Sequence, residues 1–319
     1  MIDSRTDTKF SDFLQTQQLF NDAVYGEIKG INKEEVTKTL ALSLHSEVSS
    51  IVSSINFKDH TSHRIQINKD KLLYESVDAF RYILALLNTW DIPGEQFCNA
   101  FNDKDAYLWI RRECEKESWA GQDVVLVDID DVLAEFRTGF YGWVLNTYGI
   151  DIDISSKEYY TTKPVLDKGI NPEEVFQGFL AQGGMSRLPV VNGCGYFLDS
   201  LIRRGYWVHL LTARPEDNPR CFYDTFLWLR SVGLPFNRVS FAPEKFRWTT
   251  QTQYYGKCRI IAVDDSPKHS AEYAKHGIEV LSPVQSYNSE IEGLQGVHMY
   301  RDFEEALKIL DEINPAKTL

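Results

Sequence analysis

Paired cysteines are missing from this sequence. Its five, Cys98, Cys114, Cys194, Cys221 and Cys258, are odd in number, scattered, and never spaced C-x-x-C. That pattern excludes a disulfide framework and a zinc knuckle, and it fits a reduced, cytoplasmic setting. Long apolar runs are missing too: no stretch approaches the ~18 residues needed to cross a bilayer, and the opening MIDSRTDTKF has no apolar signal-peptide core. A soluble chain with no membrane partner is expected. Positive charge is scarce, with 34 lysines and arginines against 46 acids and a formal net charge of −12. Gripping nucleic acid requires a basic face that displaces counterions, so the balance argues against that partner. Small phosphate compounds remain admissible, because a divalent cation held by carboxylates reverses the sign locally. Internal repeats and low-complexity tracts are also absent.

What is present is enough apolar material for more than one core: 319 residues, 43% hydrophobic and 13% aromatic. Two periodicities divide the chain. Up to about residue 118 it reads as helices. Apolar positions recur at three- and four-residue steps in TKTLALSLHSEVSSIVSSI and KLLYESVDAFRYILALLNTW, implying two buried helices. FSDFLQTQQLFNDAVYG and GEQFCNAFNDKDAYLWIRRECEKE supply two more, which together make a four-helix bundle. After WAGQD, short β-branched runs (VVLVD, WVHLLT, RVSFA, CRIIAVDD, IEVLSP) alternate with helices closed by Gly205, Gly233 and Gly277. The expected fold class is therefore multidomain, all-α over 1–118 and α/β over 122–319, the latter a doubly wound parallel sheet.

Ligands of such sheets bind at the carboxyl ends of the strands. The first expected strand ends in Asp128-Ile129-Asp130-Asp131, the second in Thr212-Ala213-Arg214, and the fourth in Asp264-Asp265. Asp128, Asp130, Asp264 and Asp265 would converge on one crevice. Crowded carboxylates repel one another unless a hard cation neutralises them, which points to Mg2+. With Mg2+ shielding charge, Asp128 can attack phosphorus, and Asp130 can serve first as acid and then as base. Thr212 can donate to the phosphoryl group, with Arg214 beside it as a further substrate contact. A lysine must complete the charge balance. Lys245, just after RVSFA, lies on the catalytic side, whereas Lys257 precedes a strand and belongs on the opposite rim.

The ordered set DIDDVL, LLTAR, Lys245 and VDD resembles the haloacid dehalogenase superfamily over roughly residues 122 to 312. Within it, DIDDVLAEF is similar to the opening of the deoxyribonucleotidases, which dephosphorylate nucleoside monophosphates. The resemblance implies that Asp128, the Asp130 carbonyl and Asp264 hold Mg2+, supported by Asp265. It also implies a small helical cap over about residues 140–195, whose aromatics Phe140, Tyr141, Trp143 and Phe136 would stack on a base. TARPEDNPRCFYDTFLWLRSVGLPF also resembles the segment after the second motif of polynucleotide kinase-phosphatases, which leaves a 3′-end phosphatase as a rival reading.

In the helical half, Glu47 lies on a polar face and Glu75 and Asp78 stand one turn apart. Acids projecting inward from facing helices build a divalent-metal site where Mg2+ activates water; the same spacing also describes a solvated edge. Glu75-Ser76-Val77-Asp78 and the apolar run after it resemble the E-x-x-D half of the all-α nucleoside triphosphate pyrophosphatases, the MazG and dimeric dUTPase group. That resemblance implies phosphate contacts from Lys58, next to Phe57, and from Lys104 and Arg111 after Phe101. It gives base reading to Gln17 or Gln18, and it implies a homodimer through this half. In the first half of the motif Ser50 stands where a second glutamate is expected. The two activities compose into a hydrolase that takes deoxynucleoside triphosphates to monophosphates and then to nucleosides. The alternative is a phosphatase with a helical dimerising or nucleotide-sensing module.

Overall fold

The computed structural model describes residues 9–25, 32–55, 66–157 and 163–318. Two compact units emerge, Met1–Asn102 and Asp103–Leu319. The division falls inside a helix, α4 (Gly94–Lys116), rather than between residues 118 and 122. Periodicity hides this, because Tyr107, Ile110 and Cys114 in the last turns of α4 pack on the core of the second unit.

The first unit holds α1 (Phe10–Tyr25), α2 (Lys33–Ser53), α3 (Lys69–Thr89) and the start of α4. Side-chain caps fix two of the starts. Asn32 accepts from the Glu34 N–H at 2.9 Å, and Asn68 accepts from Asp70 and Lys71 at 3.0 and 3.1 Å. The core is small, with Leu14, Leu84 and Leu87 surrounded by Phe10, Phe80, Ile92 and Phe97. The expectation of two buried helices needs correcting. Within α2 only Leu40 is buried, while Leu42 and Val48 are exposed; α3 buries Ala79, Leu84, Ala85 and Leu87 but exposes Leu73, Tyr74 and Val77. So few helices cannot cover both sides of two amphipathic neighbours.

The second unit is built on a six-stranded, wholly parallel sheet in the order β3-β2-β1-β4-β5-β6. Its strands are β1 (Val124–Val127), β2 (Trp207–Thr212), β3 (Arg238–Phe241), β4 (Ile260–Val263), β5 (Glu279–Pro283) and β6 (Val297–Tyr300). The central strands VVLV and IIAV are buried throughout, because helices cover both faces. Val125 and Val127 point into one core and Val124 and Leu126 into the other, as the two-residue period of a strand requires. β6 is absent from the expected strands. As an edge strand its His298 and Met299 stay half-buried, so VHMY shows no uniform apolar run.

Between β1 and β2 lie α5 (Phe136–Tyr148), α6 (Lys163–Leu166), α7 (Pro172–Ala181) and α8 (Cys194–Arg203). Then come α9 (Pro219–Val232), α10 (Lys245–Thr250), α11 (Pro267–Lys275) and α12 (Phe303–Ile313). Gly233 closes α9 at φ +64, where a side chain would be strained, and its N–H bonds the Leu229 carbonyl at 3.1 Å. The chain adds β2 and β3 on one side of β1, then returns to add β4, β5 and β6 on the other. The carboxyl ends of β1 and β4 therefore flank the topological switch point, where doubly wound sheets bind ligands.

Candidate active site

Asp128 follows β1 and Asp264 follows β4, so parallel pairing brings the two carboxylates side by side. Asp128, Asp264 and Asp265 each place an oxygen within 4.8 Å of the others, and all three are buried. Lys245, at the first position of α10 and 1% exposed, enters between them. Its ammonium donates to Asp128 Oδ1 at 2.8 Å and Asp264 Oδ2 at 2.7 Å, while Lys257 stays exposed ahead of β4. Asp128 Oδ1 also accepts from the Ile129 N–H at 2.8 Å, and Asp264 Oδ1 from the Ser266 N–H at 3.0 Å.

Burial pushes Asp128 up to about 7; Lys245 pulls it back, and Asp264 and Asp130 push it further. Asp265 is pushed well up by burial and by Asp128 and Asp264. Burial alone would lower Lys245, but the two aspartates hold it above the ordinary lysine range. One ammonium does not neutralise three acids, and among the described residues Asp265 Oδ1 has no hydrogen-bond partner. An all-oxygen, net-negative donor set of this kind fits a hard divalent cation.

The fourth acid behaves differently. The carboxylate of Asp130 is gripped by buried Arg214, whose Nε donates to Oδ2 at 2.9 Å and whose Nη2 donates to Oδ1 at 2.7 Å. Arg214 Nη1 also donates to Thr225 at 3.0 Å, so this guanidinium, expected as a substrate contact, is committed to Asp130. Among the described residues, the acids that gather as possible metal ligands here are thus Asp128, Asp264 and Asp265, with Asp130 beside them in its own ion pair. Thr212 is wholly buried at the end of β2, and its hydroxyl accepts from the Arg214 N–H at 3.2 Å.

Two further side chains reach this neighbourhood that sequence reasoning missed. Tyr287, in the turn after β5, donates its hydroxyl to Asp265 Oδ2. Arg137, buried on α5, lies 4.6 Å from the centre of the Tyr287 ring. Tyr287 follows a strand end, so a search of every strand end would have found it; for Arg137 there was no sequence signal. Asp131 takes φ +53, and burial pushes its carboxyl up to about 7.

Phe140, expected to stack on a base, sits in an aromatic cluster. It is 9% exposed and lies among Phe136, Trp143, Phe176 and Phe179 with ring centres 5.1 to 6.4 Å away, so its ring is engaged in packing. In the first unit, Glu47, Glu75 and Asp78 do place oxygens within 4.8 Å of one another. Glu47 and Asp78 line a cavity of about 280 Å³ with Gln17, Asn21 and Arg81. Gln17 is buried and bonds Asn21 at 2.8 Å, whereas Gln18 is exposed and bonds Asp22. Lys58, like Phe57, lies outside the described residues. Lys104 and Arg111, expected to serve the helical site, belong to the second unit. There Lys104 bonds the Tyr223 hydroxyl at 2.9 Å and Arg111 pairs with Glu115 at 2.8 Å.

No family model and no curated protein matches the chain. Among solved structures, it is similar to a predicted phosphatase from Clostridium acetobutylicum, at 18% identity and TM-score 0.45, over 60% of this chain and 99% of that one. A haloacid dehalogenase family hydrolase from Deinococcus radiodurans, crystallised with phosphate and sodium, overlaps at 16% identity and TM-score 0.45, over 61% and 97% of the two chains. A haloacid dehalogenase-like hydrolase from Streptococcus pneumoniae overlaps at 11% and 0.44, over 60% and 99%. These overlaps are too loose to carry function, which must rest on the geometry of the site.

Proposed function

We propose that the second unit is a Mg2+-dependent phosphomonoesterase of the haloacid dehalogenase type, with Asp128 as nucleophile. The observation that carries this reading is Lys245 bridging Asp128 and Asp264 at the switch point, beside the unpartnered oxygen of Asp265. Asp128, Asp264 and Asp265 would hold the cation, as would the Asp130 carbonyl by the resemblance. When bound, Mg2+ supplies charge neutralisation for the phosphate and the attacking carboxylate.

Among the described residues the hydrogen bonds to Asp128, from the Ile129 N–H and Lys245, fall on Oδ1, which leaves Oδ2 for attack on phosphorus. A bond forms between Oδ2 and phosphorus as the ester P–O bond breaks, and Asp130 gives its proton to the departing alcohol. Water then attacks the phosphorus of the aspartyl-phosphate, loses a proton to Asp130, and releases orthophosphate as the P–Oδ2 bond breaks. Acting as acid requires Asp130 to give up one of its two Arg214 bonds. Lys245 stays on Oδ1 through both steps and limits the charge that accumulates.

Nucleoside monophosphates are the substrates that the deoxyribonucleotidase-like DIDDVLAEF implies. A second reading concerns the first unit: Glu47, Glu75 and Asp78, clustered beside the Gln17 cavity, would hold Mg2+ for hydrolysis of nucleoside triphosphates. Exposed Leu42, Leu73, Tyr74 and Val77 would be covered by a second copy of this unit, which light scattering of the purified protein would reveal as a dimer. A nucleotide panel, scored separately for orthophosphate and pyrophosphate with and without Mg2+, tests both activities. Asp128→Asn should abolish orthophosphate release and spare pyrophosphate, while Glu75→Ala should do the reverse. Retained monophosphate hydrolysis in Asp128→Asn would remove the nucleophile from the scheme.

A further inference from the structure

The two oxygens of Asp265 are treated unequally. Oδ2 is taken by the Tyr287 hydroxyl, while Oδ1 is buried with no partner among the described residues. Tyr287 is itself held from several directions. Arg137 packs against its ring and donates to Ser286 Oγ at 3.1 Å and to the Ile154 carbonyl at 2.9 Å. The neighbouring Asn288 side chain donates to the Asp265 carbonyl at 3.1 Å and the Pro283 carbonyl at 2.8 Å. The turn after β5 is thus tied to the strand end that bears Asp265, with the tyrosine hydroxyl fixed on one oxygen.

Cations differ in what they ask of a carboxylate. Mg2+ requires near-octahedral coordination and takes single oxygens, whereas Ca2+ accepts more ligands and readily takes both oxygens of one carboxylate. We infer that Tyr287 is a positioning residue that sets cation choice at this site: by occupying Oδ2 it confines Asp265 to offering Oδ1, which favours Mg2+ over Ca2+. The inference rests on the metal-site reading proposed above. Arg137 serves it indirectly, by holding the Tyr287 ring.

The test is cation binding to the full chain, by calorimetry and by the shift of melting temperature with Mg2+ or Ca2+ alone. Wild type should prefer Mg2+. Tyr287→Phe keeps the ring against Arg137 and removes only the hydroxyl; it should lose on the order of tenfold in Mg2+ affinity while Ca2+ affinity holds or rises. In an Asp265→Asn background the same substitution should leave the Mg2+ to Ca2+ ratio unchanged. A wild type that binds neither cation at this site, judged against an Asp128→Asn control, would sink the metal-site reading itself. A wild type that binds both cations equally, or a Tyr287→Phe protein with the wild-type ratio, would overturn the role of Tyr287 and leave that reading standing. Should Tyr287→Phe not fold, Arg137→Lys, which loosens the ring that carries the hydroxyl, should move the Mg2+ to Ca2+ ratio the same way, and an unchanged ratio would overturn the role of Tyr287.

Discussion

Replacing Lys245 with methionine removes the cation between Asp128 and Asp264 and keeps a side chain of similar length. The lysine is 1% exposed and both partners are buried, so water replaces little of the lost charge. Breaking a buried pair in this way costs about 3–5 kcal/mol. For a unit of this size that amounts to a drop of roughly 6–20 °C in melting temperature, measured with EDTA. The deficit should depend on pH. An acid whose folded pKa lies above its unfolded value binds a proton in the native state, and its contribution is lost as pH rises through the folded value. Asp128 already stands at about 7 with the lysine present, so without it the deficit should be larger at pH 8 than at pH 6. Mg2+ should restore about 2.7 kcal/mol when supplied at a hundredfold excess over its dissociation constant. Because the variant's cluster is more negative it should bind Mg2+ more tightly, so at equal Mg2+ concentration its shift should exceed that of wild type. A variant as stable as wild type in EDTA, or one indifferent to Mg2+, would refute the claim that unneutralised carboxylates crowd this crevice.

Three other perturbations follow from the same structure. Burial, aided by Arg238, lowers His209 to about 3, so the folded state refuses a proton that the unfolded chain accepts, and stability is lost as pH falls below the ordinary histidine value. Roughly 2 kcal/mol should disappear between pH 8 and pH 5, and His209→Gln should flatten that slope in urea titrations; an unchanged slope would disprove the assignment. In single-turnover experiments Asp130→Asn should slow release of an alkyl alcohol by roughly a hundredfold or more but spare release of p-nitrophenol, which needs no proton. Equal losses would mean that Asp130 is not the acid. Gly184→Ala would put a methyl 2.3 Å from the Phe179 ring, so about 1–3 kcal/mol of stability should go, and an unaltered melting temperature would contradict the close packing described there.

The helices of the first half and five of the six strands were legible because periodicity reports local geometry directly. Where the signal was weak the reading stopped: β6 is a half-buried edge strand, and the domain boundary lies inside a continuous helical pattern. The site was legible at the strand ends, since topology alone brings Asp128 and Asp264 together once both follow parallel strands. For Phe140 and Arg214 the sequence could not show the surroundings, for a common reason. Residue type says what a side chain is able to do, whereas its neighbours decide what it is committed to, and here those neighbours are an aromatic cluster and the carboxylate of Asp130.

Taken alone, the sequence determined that this chain carries a parallel α/β sheet with acids at the ends of its first and fourth expected strands, because alternation, strand length and end residues are local properties. Only the tertiary structure decided that Lys245 bridges two of those acids, that Asp130 belongs to Arg214, and that Tyr287 holds Asp265. Those are distances between residues far apart in the chain, and they exist only once packing has closed the loops between them.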